Sequence, residues 1–298
     1  MSLKPPASSP KPLLLDGATG TELGRRGVDI SLPLWSARAL LEAPEVLQAV
    51  HRDYFAAGAK AVTANTFRTH RRSLARAGMS HRGAELTRLA VEIAKAARDE
   101  HAPDALVLGS VAPLEDCYQP ALAPDEPTCR AEHAEMIGNL LDAGVDVILI
   151  ETMNNLPEAR AAAREAQRLA PSKWIISFCT KSHGPVGILL SGESIADLLG
   201  ELHDAYAVGV NCVAAPSVES QVRLLRDALP DHVRIIAYAN VGYADDAGNW
   251  VITDAVDPTR YAQYAQCWID AGATIIGGCC GTMPGTIQAI ADRLILAR

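Results

Sequence analysis

AGATIIGGCCGT, residues 271–282, puts a helix stop, a strand and a turn side by side. The Ala-Gly pair is a helix stop, because glycine takes the left-handed conformation there without a Cβ penalty. Residues 274–276 are short, apolar and mostly β-branched, as a parallel strand covered on both faces should be. Glycines then surround two adjacent cysteines, Cys279 and Cys280. The same punctuation recurs upstream, where Ala-Gly pairs ending at Gly58 and Gly144 precede apolar runs at 61–64 and 147–150. A repeated helix stop before a repeated strand marks a repeated βα unit.

Working outward, eight runs read as buried strands: 13–15, 61–64, 106–109, 147–150, 174–178, 208–210, 235–238 and 274–276. Amphipathic helices are expected at 43–57, 82–100, 128–143 (with Thr128 as N-cap), 216–229 and 257–271. Eight alternating units make either a closed barrel or a doubly wound open sheet. An open nucleotide-binding sheet should show a glycine-rich phosphate turn after an early strand. DGATGTELG (16–24) lacks both G-x-G-x-x-G and the Lys-Ser/Thr of a P-loop, so Gly17, Gly20 and Gly24 read as turn residues. The predicted fold is a single (β/α)₈ TIM barrel over residues 13–298, preceded by a Pro- and Ser-rich tail, 1–12, expected to be loose.

With 298 residues, 49% hydrophobic and 21% charged, the chain has ample material for one large core. A net charge of −8 argues against nucleic acid and anionic membranes as partners. No apolar run has membrane-span length and no secretory signal is visible. Seven cysteines, an odd count without a signal peptide, suit free or metal-bound thiols in a cytoplasmic protein better than a disulfide framework. The sequence leaves a homo-oligomer open.

Barrel enzymes keep their chemistry at the C-terminal ends of the strands. Here those positions read Asp16, Asn65, Ser110, Glu151, Cys179, Cys212, Asn240 and the Cys279–Cys280 pair, all polar or thiol. Adjacent cysteines fit disulfide geometry poorly, and the flanking glycines let both sulfurs face one point. With Cys212 from strand 6 on the same rim, three thiolates suit Zn²⁺ with an open fourth place. The plainer alternative is three small buried hydrophobes. Asp16 and Glu151 are a general acid–base pair, a clamp on a substrate ammonium, or carboxylates that cap the following helix or pair with a rim Arg or Lys. Cys179 is expected to be plain core, and Cys117, Cys129 and Cys267 carry no assigned role. No His forms a metal motif; His70 and His183, in loops, are expected to stay out of the site.

At this point the residues resemble a known family. DGATGTEL (16–23), LWSARALLEAPE (34–45), H-x-DYFAAGA (51–59), TANTF (63–67), ET (151–152), VGVNC (208–212), YANVG (238–242) and IIGGCCGT (275–282) together resemble the homocysteine S-methyltransferases. The ordered combination of D-G, N-C and G-G-C-C is specific where each piece alone is not. The resemblance implies that Cys212, Cys279 and Cys280 bind zinc, that homocysteine's thiol joins them, and that Asp16 and Glu151 grip its ammonium. Two departures bear on the methyl donor. Betaine-type members carry a Tyr after the Glu where this chain has Thr152, and VAPLEDCYQPALAPDEP (111–127) lacks the usual glycine-rich turn.

The implied partners are a small thiol and a small, diffusing methyl donor. No D-x-H-x-x-G cobalamin segment is present, and the chain stops about one helix after the G-G-C-C turn, so no carrier domain is expected. Two rivals remain at this stage: a barrel lyase or hydrolase using Asp16 and Glu151 as acid and base, and a non-catalytic thiol sensor.

Overall fold

A computed structural model of the protein describes residues 12–244 and 249–296. The expected N-terminal tail lies, Pro12 apart, outside the described residues. The barrel strands are β1 (Leu13–Leu14), β2 (Ala61–Ala64), β3 (Leu106–Val111), β4 (Val147–Met153), β5 (Trp174–Phe178), β6 (Ala207–Ala214), β7 (Arg234–Asn240) and β8 (Ile275–Gly278). All pair in parallel, in the order β1-β8-β7-β6-β5-β4-β3-β2. A parallel bridge between Leu15 and Ala61 joins the two ends, closing the barrel. The (β/α)₈ reading is the observed architecture.

Alternation explains the layers. Leu108, Leu149, Ile175, Ile236 and Ile275 meet in the barrel interior, while Val107, Ile148, Ile150, Trp174, Ile176, Ile235 and Ile276 pack in the helix-facing core. Successive residues of a strand point to opposite faces. On five strands the inward phase therefore runs on into the end: Thr63, Ser110, Glu151, Tyr238 and Cys279 continue the interior rows.

The three Ala-Gly stops behave as expected, with φ of +101°, +75° and +114° at Gly58, Gly144 and Gly272. Several strands run longer than their apolar segments, because buried polar residues such as Ser110, Glu151 and Asn240 still join the sheet. One cap is corrected. Helix Glu126–Ala143 starts before Thr128, and its N-cap is Asp125, whose carboxylate accepts from Thr128 N at 2.9 Å. Helix Leu156–Leu169 follows β4 as the alternation requires, although periodicity gives no range for it. Its buried face is largely alanine (Ala159, Ala162, Ala163, Ala166), so it lacks a stripe of large apolar residues. Helix Pro284–Leu296 and a small hairpin, Gly242–Ala244 with Trp250–Ile252, are additions to the sequence reading.

Candidate active site

A cavity of about 590 Å³ opens at the C-terminal ends of the strands. Asp16, Glu151, Cys212, Cys279 and Cys280 all line it, as do Asn65 and Ser110. Cys179 and Asn240 do not; Cys179 is buried core, as expected, with its thiol against Cys212 O at 3.6 Å. His70 pairs with Ser73 Oγ at 2.8 Å and His183 stacks edge-on against Tyr243, and neither lines the cavity.

The sulfurs of Cys212, Cys279 and Cys280 lie within 4.8 Å of one another. Two different local devices bring them there. After β8 the turn is anchored by Thr282, whose hydroxyl donates to Cys279 O at 2.7 Å and accepts from Ala18 N at 3.1 Å. Cys280 N donates to Asn240 Oδ1 at 3.0 Å, which fixes the second cysteine against β7. Gly281 has φ +83°, and a Cβ there would fall 2.3 Å from Val241 Cγ2.

On β6, strict alternation from Ala207 would aim Asn211 inward and Cys212 at the helices. The register shifts between Asn211 and Ala214, and Cys212 adopts φ +58°, which turns its thiol into the cavity. A matching shift on β4 accompanies φ +62° at Thr152. Such angles are uncommon for side chains of this kind and persist only where the surroundings hold them. The hold is reciprocal: Thr152 N donates to Asn211 Oδ1, and Asn211 Nδ2 donates to Thr152 Oγ1, both at 2.8 Å.

The thiols are electrically interdependent. Hydrogen bonds from Cys179, Cys279 and Cys280 hold Cys212 well below the usual thiol range. Hydrogen bonding to Cys212 pushes Cys279 and Cys280 well up. Three sulfurs this close resist ionising together unless a cation lies among them, and soft sulfur donors suit a thiophilic metal. The donor set therefore fits a metal ion.

Both acids are buried. Asp16 accepts from Thr63 N at 2.8 Å and Thr63 Oγ1 at 3.3 Å. Glu151 accepts from Ser110 Oγ at 2.5 Å and Tyr238 OH at 3.2 Å. Neither pairs with a cationic side chain among the described residues. Burial pushes Asp16 well above the usual carboxylate range and Glu151 up to about 7. Repulsion from Glu151 also acts on Asp16, so the two carboxylates share one electrostatic environment.

Several lining residues escaped the sequence reading. Tyr118, from the loop after β3, places its hydroxyl 3.0 Å from Cys212 Sγ, with Cys117 and Asp116 beside it on the wall. Trp35, Phe67, Arg68, Tyr238 and Trp250 also line the cavity. Tyr238 was readable by phase, two residues after the inward Ile236. The loop and hairpin residues carry no periodic signal that points to the site.

Known proteins resemble this chain over nearly its whole length. The profile of a family described as Homocysteine S-methyltransferase matches residues 13–294. Homocysteine S-methyltransferase YbgG of Bacillus subtilis is 32% identical, over 94% of this chain and 93% of its own length. Selenocysteine Se-methyltransferase of Brassica oleracea is 31% identical, over 96% of this chain and 89% of its own. The crystal structure of homocysteine methyltransferase MmuM from Escherichia coli, in its metallated form, superposes with a TM-score of 0.82 at 30% identity, covering 95% of this chain and 96% of that one. A closed barrel with three convergent cysteines, matched over nearly its whole length, belongs to the homocysteine S-methyltransferase family, and the protein is a methyltransferase.

Proposed function

We propose that this enzyme methylates the thiol of homocysteine, using a small freely diffusing sulfonium or quaternary ammonium donor, with zinc held by Cys212, Cys279 and Cys280. The observation that carries the reading is one cavity holding three sulfurs within 4.8 Å of one another and two buried acids with no cationic partner among the described residues. Zinc, when bound, supplies a Lewis acid that lowers the pKa of a thiol brought to it.

The chain's own residues do the rest. Asp16 and Glu151 receive the substrate ammonium, a cation that offsets the cost of their burial. Thr63 orients the first carboxylate, and Ser110 and Tyr238 orient the second. The mostly apolar walls keep competing water from the methyl group. A lone pair on the acceptor sulfur forms the new S–C bond as the donor's C–S or C–N bond breaks, with its electron pair going to the donor atom. A cationic donor leaves neutral, so no general acid is needed, and one proton is released per thiol consumed. This reading favours a compact sulfonium such as S-methylmethionine over a folate or a carrier-bound methyl.

The test supplies homocysteine and zinc-loaded enzyme with S-methylmethionine, S-adenosylmethionine, betaine or methyltetrahydrofolate, and measures methionine. Turnover with a sulfonium is expected, with about one zinc per chain by elemental analysis and little metal in Cys212→Ala. Turnover only with the folate, or full zinc in Cys212→Ala, would overturn the reading.

A further inference from the structure

Among the described residues that line the cavity, Arg68 is the sole lysine or arginine. It follows β2 and leads towards the short helix Arg71–Ala75. Its surroundings are acidic, yet among the described residues no carboxylate pairs with it. The Glu115 carboxylate is taken by Arg72, at 3.2 Å, and by Arg76. Asp116 accepts from Tyr118 N at 2.8 Å and from Gln119 Nε2 at 3.1 Å. Arg68 itself makes two long contacts from one terminal nitrogen, to Ser73 Oγ and to Glu115 O, both 3.4 Å. Its Nε is buried and, among the described residues, has no hydrogen-bond partner. A guanidinium presents a planar fork of N–H donors matched to a carboxylate. Leaving that fork unmet beside a cavity is costly unless an anion arrives.

Position decides which substrate brings the anion. Asp16 is held by Thr63 of β2 and Glu151 by Ser110 and Tyr238 of β3 and β7, whereas Arg68 donates to Glu115 O in the loop after β3. By that contact Arg68 lines the cavity beside Asp116, Cys117 and Tyr118, and Tyr118 reaches Cys212. An acceptor amino acid held by its ammonium at Asp16 and Glu151 keeps its own carboxylate one carbon away, at the acidic end. Beside Arg68, Phe67 lies under the guanidinium at 5.4 Å and meets Trp35 edge-on at 5.5 Å, offering aromatic surface to a second, cationic molecule.

We propose that Arg68 seats the carboxylate of the methyl donor, so that the site selects sulfonium donors that carry one. The proposal rests on the methyl-transfer reading above, but it is tested by binding alone. Zinc-loaded wild type, Arg68→Gln and Arg68→Lys are titrated by calorimetry with S-methyl-L-methionine, trimethylsulfonium and homocysteine. Arg68→Gln should weaken S-methyl-L-methionine about ten- to a hundredfold, the scale of a lost charge-assisted hydrogen-bond pair. Trimethylsulfonium, with no carboxylate, and homocysteine should bind as in wild type, and Arg68→Lys should recover part of the loss. Circular dichroism establishes that the variants are folded; if Arg68→Gln is not, Arg68→Lys against wild type gives the same contrast at smaller amplitude. Equal weakening of both sulfoniums, weakening of homocysteine instead, unchanged binding throughout, or no binding of S-methyl-L-methionine to wild type would each overturn the proposal. Failure of methionine formation with every donor, alongside the expected binding contrast, would sink the methyl-transfer reading and leave the carboxylate seat standing.

Discussion

The ends of β6 and β8 deliver cysteines to the same point by opposite means. At β8 the backbone is permissive: glycines flank the pair, and Gly281 supplies a positive φ that an L side chain would resist. At β6 a non-glycine residue, Cys212, is itself forced to φ +58°, and the Asn211–Thr152 bonds keep it there. One arm is shaped by the absence of side chains, the other by a clamp of two. The glycine arm should therefore fail sterically when a methyl is added. The clamped arm should loosen when a hydrogen bond is removed.

Gly281→Ala breaks the first arm and is expected to have the largest effect. The new Cβ collides with Val241 and the residue stays at positive φ, costing about 2–4 kcal/mol by combined overpacking and backbone strain. Urea denaturation should show that loss, and elemental analysis should show little retained metal. Wild-type stability in this variant would mean that the turn relaxes freely and that glycine is not required there.

Asn211→Ala breaks the second arm. It leaves the buried Thr152 N–H without an acceptor, for a loss of about 1–3 kcal/mol, and frees the Cys212 backbone. Zinc affinity, measured by competition with a chelator, should fall about ten- to a hundredfold, as for other residues that orient ligands. Asn211→Asp retains the acceptor for Thr152 N and should recover part of both losses. If Asn211→Ala holds zinc as tightly as wild type, the clamp does not position Cys212.

Glu151→Gln sharpens the comparison, because it changes charge next to the clamp while leaving the clamp intact, so metal content should not change. Burial raises the Glu151 pKa to about 7. A raised carboxylate pKa means its favourable contribution is complete below the ordinary value and is lost as pH rises through about 7. Ligand-free Glu151→Gln should accordingly melt a few degrees above wild type at pH 8, with the difference gone near pH 4.5, by differential scanning fluorimetry. Its affinity for homocysteine should fall about ten- to a hundredfold at pH 8. A variant less stable than wild type at pH 8 would show that the carboxylate is satisfied without a ligand.

Family membership and the methyltransferase conclusion set aside the lyase, hydrolase and sensor alternatives that the acids and thiols left open. Among the described residues no helix is long and apolar enough to cross a membrane.

The number of strands, their parallel pairing and the inward-facing ends at Glu151 and Cys279 were legible in the sequence, because each follows from a local rule. Helix-stopping glycines mark the repeats, and a period of two carries Leu149 into Glu151 and Ile275 into Cys279. Asp16, Cys280 and Cys212 were legible only as rim positions, and Cys212 shows why. By the same alternation it should have faced the helices, and the turn that redirects it depends on a partner 59 residues away in the chain. Tyr118, Trp250 and Arg68 were not legible at all. Their segments follow no period, and what makes them matter is which charges and sulfurs the closed barrel sets beside them. Alternation and glycine conformation act between chain neighbours, so the sequence alone decides them; the redirected thiol and the unpaired guanidinium arise from contacts between distant segments, and only the closed tertiary structure decides those.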